Sequence, residues 1–233
     1  MTIDTTFDFR SDTPEGKDPD SHSPTLRKYH QVLWSRPLPD GSPFELSVDR
    51  PGVYLHHESR HGEFFLGSDS IIQSYTNPPR TVVEKVPEAE REEFRRIGYT
   101  IGGMLVFPGN QIDRRRTINT ARGLHPRVAD RFDLTLECIR RHYANATGTN
   151  PLADVLGRYD DFLRLYGNFR GYVDYFLLQD LVSADYESVQ FFTDFYDFAT
   201  PAIPPDLDTY VEYRRRSIEF VAARNQRIAA LGL

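Results

Sequence analysis

The sequence predicts an α+β fold in which a β-rich N-terminal half packs on a helical C-terminal half. Two textures meet near residue 120. Before it, short β-prone runs alternate with Pro and Gly; after Pro126, apolar residues recur at spacings of three and four. With 233 residues, 39% of them hydrophobic and 13% aromatic, the chain is long enough to bury one sizeable core. Residues 1–233 are therefore read as a single domain, with a β-rich subregion over about 1–118 and a helical one over about 119–233.

Short strands are expected over Phe44–Val48, Val53–His57, Glu63–Leu66, Thr81–Val86 and Tyr99–Phe107, where β-branched and aromatic residues are bounded by turn formers. Two helices interrupt them. Ser23-Pro24 supplies an N-cap and a first-turn proline for Thr25–Trp34, and Glu88–Ile97 follows Pro87. A helix opening at Pro126 is expected from Val128, Phe132, Leu136, Ile139 and Tyr143. Later helices open near Asn150, Phe169 and Asp206 or Asp208, the last running over Thr209–Ala230. Pro201–Pro205 reads as a stiff connector. Thirteen Phe or Tyr fall within residues 159–198, interspersed with acids, which favours core packing over a base-stacking platform.

The formal net charge is −6, yet residues 113–131 hold six Arg against two Asp. A local positive field beside a helix N-terminus is a physical recipe for holding an anion. His125 and Leu124 are poor caps for a helix starting at Pro126, so its vacant amides invite an external phosphate or carboxylate. Arg122 and Arg127 would clamp the anion, Gly123 would let the backbone approach it, Asn119 would orient it, and His125 would transfer protons. The function expected on this basis is binding of a phosphate- or carboxylate-bearing small ligand, such as a nucleotide, with enzymatic action on it as the extension. A non-catalytic interaction protein or homo-oligomer is the second class, and RNA binding through Arg114–Arg116 the third. Net negative charge and only three lysines argue against nucleic acid.

Two further clusters stand out. Tyr54 to Glu63 carries His56, His57, Glu58, His61 and Glu63 at a hairpin tip, but strand alternation separates His56 from His57, so no metal is assigned there. Asp8 to Ser23 is acid-rich; a proline at 19 and no glutamate at the twelfth position exclude an EF-hand, leaving self-bonded turns. If Arg10 and Lys17 fold toward the central arginines, this segment would act as a lid. Lone Cys138, mid-helix among Leu134, Leu136 and Ile139, is expected to be buried. Neither a phosphate-loop motif, a dinucleotide-binding fingerprint, a Gly-x-Ser-x-Gly elbow nor a His-Glu-x-x-His pair appears. No run approaches the roughly 18 to 20 apolar residues that span a bilayer, and no secretory pattern opens the chain, so a cytoplasmic protein without membrane contacts is expected. No cofactor is specified by any motif.

His125-Pro126 is similar to the opening of the Fic adenylyltransferase motif, but Arg127 to Phe132 lacks the Gly-Asn-Gly-Arg that wraps nucleotide phosphates, which excludes that reading. A broader likeness involves Phe7-Asp-Phe-Arg-Ser-Asp-Thr-Pro14, Lys17-Asp-Pro-Asp20, Ser23 to His30, Glu63-Phe-Phe-Leu66, Phe107-Pro-Gly-Asn110 and Phe132 to Tyr143. These stretches resemble a family of bacterial proteins classed as a domain of unknown function. The resemblance covers nearly the whole chain and implies a bacterial, intracellular setting, with no reaction or catalytic residue to carry over.

Overall fold

A computed structural model describes residues 2–73 and 80–233. Three antiparallel strands form one sheet in the order β1-β2-β3, with β1 Leu55–Ser59, β2 Gly62–Ser70 and β3 Met104–Pro108. The described helices are α1 Pro19–His22, α2 Pro24–Trp34, α3 Arg80–Val83, α4 Glu88–Gly98, α5 Ile118–Leu124, α6 Phe132–Tyr143, α7 Ala153–Arg158, α8 Asp160–Arg164, α9 Phe169–Tyr175 and α10 Leu207–Ala229. All three strands precede residue 109, and the chain beyond is helical, as the two textures predict. The first half is itself mixed, because four helices accompany its strands.

Several helix starts follow from side-chain caps. The Ser23 hydroxyl accepts from Leu26 N ahead of α2, Asn168 from Gly171 N ahead of α9, and Asp206 from Thr209 N ahead of α10. The β1-β2 hairpin pairs Ser59 with Gly62 across Arg60-His61, and Gly62 takes a φ of 122° that side chains rarely adopt. β3 is buried along its whole length and, among the described residues, pairs with β2 alone.

Several elements differ from expectation. Phe44–Val48 contributes one bridge, Ser47 to His56, and Thr81–Val86 begins as the helical turn α3. Pro87 follows too closely for an extended strand, and Val82, Val83 and Val86 are buried from a turn. The expected helix at Pro126 opens six residues later, at Phe132. A short helix, α5, occupies 118–124 instead, capped by the Thr117 hydroxyl on Thr120 N. A residue before proline is disfavoured in the helical region, so His125 turns extended (φ −80°, ψ 119°) and ends α5. Ala129 and Asp130 then take positive φ, which no helix through 126–131 could contain.

α10 secures β3 to the rest of the molecule. Fully buried Arg224 donates to the carbonyls of Phe176, Gly102 and Met104 at 3.1, 2.9 and 2.7 Å, and Asn225 Oδ1 accepts from Gly102 N at 2.7 Å. The backbones meet here: a Cβ on Gly103 would sit 2.0 Å from the Gly98 carbonyl oxygen. Trp34, Tyr166, Tyr172, Tyr175 and Phe176 form an interior aromatic cluster, so most rings of the 159–198 segment are core. Cys138 is fully buried on α6, and burial pushes its thiol up. No helix among the described residues is long and apolar enough to cross a membrane.

Candidate functional site

The arginine segment folds in two directions. Arg122, on α5, is fully buried. Its guanidinium lies 2.5 Å from Asp69 Oδ2 and 2.8 Å from Asp130 Oδ1, donates to the Asp130 carbonyl at 2.6 Å, and reaches Thr135 Oγ1 through Nε at 3.2 Å. Every nitrogen is therefore committed inside the fold, and an anion would have to displace two carboxylates to reach it. This corrects the expectation that Arg122 clamps a ligand. Gly123 is exposed, but Asp130 Oδ1 stands 3.7 Å from where a Cβ would lie, so that corner is acidic. Asn119 is half-buried on α5 with its Oδ1 enclosed and unbonded.

The amides expected to be vacant at Pro126 are also occupied: Val128 and Ala129 donate to the His125 carbonyl, Asp130 to that of Arg122. His125 is the C-cap of α5 rather than the mouth of a helix. Its Nδ1 accepts from Arg127 N at 3.2 Å, which places the ring proton on Nε2. Burial and the Arg127 charge lower its pKa, so the ring is neutral at physiological pH.

Arg127 points the other way. Its side chain is exposed and makes no ion pair or hydrogen bond among the described residues. It borders a cleft of 420 Å³ whose walls include Leu134, Phe195, Phe198, Pro201 and Pro204. The floor is Arg131, 3% exposed and held by Asp133 at 2.5 Å, by Thr193 Oγ1 at 2.6 Å and by the Ala202 carbonyl at 3.2 Å. The stiff connector thus forms one wall of a largely apolar cavity with a free cation at its rim. Sequence reading named Arg127 but not this cavity; the bunched Phe195, Phe198 and Pro201–Pro205 were the available signal.

At the hairpin, His57 is buried and stacks on Phe44 with centroids 4.0 Å apart, while His56 lies on the opposite face, as alternation requires. His56, Glu58 and Glu63 bring ligand atoms within 4.8 Å of one another, whereas His61 turns to Ser42 Oγ. Arg50 pairs with Glu63 and sits 3.0 Å from His56 Nε2, so a guanidinium answers this charge. In the acid-rich segment Asp8 caps Arg10 N, and Asp12 accepts from Ser23 Oγ at 2.6 Å and from Thr25 N at 3.0 Å: the self-bonded turns expected. Arg10 pairs with Asp8 and Glu92, away from the central arginines, so the proposed lid is not formed.

The chain belongs to the Family of unknown function (DUF6994), whose sequence profile matches residues 3–228. No curated protein and no solved structure matches the chain.

Proposed function

For this member of a family to which no chemistry is attached, we propose binding of a small ligand that carries a carboxylate or phosphate on an apolar or aromatic body, in the Arg127 cleft. One observation carries the reading: an unpaired, exposed guanidinium stands at the rim of a 420 Å³ cavity with aromatic and proline walls. Small-molecule sites are commonly about 300–1,000 Å³, mostly apolar, with a few placed polar groups. Arg127 would supply bidentate hydrogen bonds to the anion, and the Phe195 and Phe198 rings the contact for its body. His125, two residues before Arg127 in the chain and neutral, would be the group to exchange a proton with that anion. We take the protein to be bacterial and cytoplasmic, consistent with its single buried cysteine.

The test is a thermal-shift and calorimetric titration of the full chain with benzoate, indole-3-acetate and AMP, beside Arg127→Ala. Saturable stabilisation by at least one probe is expected. The variant should lose it at least tenfold while its unliganded melting temperature stays within about 1 °C, because an exposed unpaired side chain contributes little to folding. Equal binding by both proteins overturns the reading. A second class, self-association, draws on Tyr196 at the same cleft, 60% exposed; a concentration-dependent mass that Tyr196→Ser abolishes would replace the ligand reading with it.

A further inference from the structure

A second cavity of 220 Å³ is lined by Asp69 and Asp130, the partners of Arg122, and its chemistry is the opposite of the Arg127 cleft. The N-cap and first turn of α1 bring Asp18 and Asp20, the end of β2 brings Asp69, and the turn after α5 brings Asp130, all four lining one cleft. Beneath them Arg122 is the internal cation, 2.5 Å from Asp69 and 2.8 Å from Asp130. Arg95 is at the cleft too, but its guanidinium already serves Glu88 and Glu92 at 2.9 and 2.8 Å. Four carboxylates therefore share one positive charge, that of Arg122, which already serves Asp69 and Asp130.

Acidic clusters are common on surfaces without meaning anything, but this one has a buried member with an unmet bond. Asp20 is 9% exposed, and its Oδ1 is enclosed with no hydrogen-bond partner. An acceptor buried without a donor is costly, more so when it is charged. The groups facing it from the surrounding elements are Asp18, Asp69, Asp130, Tyr54 and Tyr99, with the Ser70 amide as donor and Arg122 behind Asp69. The three aspartates repel a carboxylate, and the two phenols, their ionisation pushed up by burial, are neutral. Burial, reinforced by Asp69 and Asp18, lifts Asp20 well above the usual carboxylate range; burial and Asp130, opposed by Arg122, lift Asp69 to about 6. The cleft thus favours the protonated form of its buried carboxylates.

We propose that this cleft binds a small organic cation, a primary ammonium or guanidinium group, whose N–H donors satisfy Asp20 and Asp69 and whose stem lies along Ile72, Phe94 and Tyr99. Size and spacing select this class over a metal. A hard divalent ion gathers its oxygens within about 2.0–2.6 Å of one centre. Among the described residues, the set that approaches such convergence is His56, Glu58 and Glu63 at the hairpin, and these aspartates do not. Hydrogen bonds of about 2.7–3.0 Å from a larger cation reach the wider set. The Phe94 and Tyr99 rings already receive guanidinium groups on the protein's own account, Arg214 at 5.5 Å and Arg10 at 5.7 Å, so cation-compatible aromatic surface lines the wall. Binding a cation here displaces protons from Asp69 and Asp20, so affinity rises as pH is raised through 6.

The full chain would be titrated calorimetrically with n-butylammonium, methylguanidinium, neutral 1-butanol and MgCl2 at matched ionic strength, at pH 5.0 and 7.5. One or both organic cations should bind saturably, at least fivefold tighter at pH 7.5, with buffer-dependent heat that reports proton release. Asp20→Asn should weaken binding at least tenfold and flatten the pH dependence, without lowering the unliganded melting temperature, since it removes a buried ionisable group and keeps the shape. Butanol binding as well as butylammonium, MgCl2 binding alone, or a pH-independent affinity of the unmutated protein would each overturn the proposal. The pH comparison needs no variant, and because Arg127→Ala leaves this cleft untouched, failure here is separable from failure of the Arg127 reading.

Discussion

Arg122 shows what a single side chain can hide from a sequence. Its partner Asp69 stands 53 residues earlier, so nothing local reveals that the guanidinium is spent internally. The segment was recognised as special, but the sign of the pocket it builds was inverted: the arginine is buried and the carboxylates it gathers face outward. Asp20 was legible only as one acid in a turn. Removing Arg122 leaves the partly buried Asp69 and Asp130 without their cation, and breaking a buried pair from one side costs about 3–5 kcal/mol. Arg122→Met should lose about that much in urea denaturation, and Asp69→Asn added to it should recover part of the loss, because one stranded charge is gone. An unchanged midpoint in Arg122→Met would contradict the buried pairing.

Among the elements, caps were the readable part. Ser23 and Asp206 sit where their hydroxyl and carboxylate oxygens meet orphan amides, and α2 and α10 start there, whereas Asn150 accepts from Leu152 N in the turn before α7 and Asn168, which caps α9, was not read. Pro126 misled because proline serves both helix entrances and the residue after a helix exit; the extended His125 decides for the exit. Thr81–Val86 misled because β-branched residues fit any half-buried surface, and Pro87 leaves room only for a turn. Glycine positions sharpen the distinction between spacing and packing. Gly103→Ala would press a Cβ to 2.0 Å from the Gly98 carbonyl where α4 meets the start of β3, and should cost at least about 3 kcal/mol or abolish folding. Gly157→Ala, within α7 and facing open space, should instead stabilise by about 0.5–1 kcal/mol. Paired thermal melts of the two variants check both statements, and similar shifts in the two would refute the contact geometry.

The molecule as a whole carries two interior titrations that oppose each other. His30 is fully buried, accepts from Trp34 Nε1 at 3.0 Å and donates to Ser68 Oγ at 2.9 Å; burial and then Arg224 lower its pKa to about 3. Its unfolded counterpart takes a proton below 6.5, so this group's stabilising share is complete above 6.5 and is lost as pH falls toward 3. Asp69 works in reverse. The folded chain keeps its proton up to about 6 while the unfolded chain releases it near 3.8, so that share is complete below 3.8 and is lost as pH rises to 6. Asp20 adds in the same direction as Asp69. Chemical denaturation at pH 4.5, 6 and 7 should therefore show a weak pH dependence in the unmodified protein. His30→Gln, freed of the opposing imidazole, should be more stable at 4.5 than at 7; a variant that still weakens toward acid would show that the carboxylate assignment is wrong. Two clefts of opposite charge, on either side of residues 122–131, are the functional form of the same division.

Cys138 lends itself to a measurement no engineered probe could make without disturbance. A thiol sealed inside α6, with its ionisation suppressed, is invisible to alkylating reagents until the surrounding helices separate. Labelling kinetics would then count opening events directly, with one native reporter per molecule and no background from other sulfhydryls. Any ligand that engages either cleft should slow that clock.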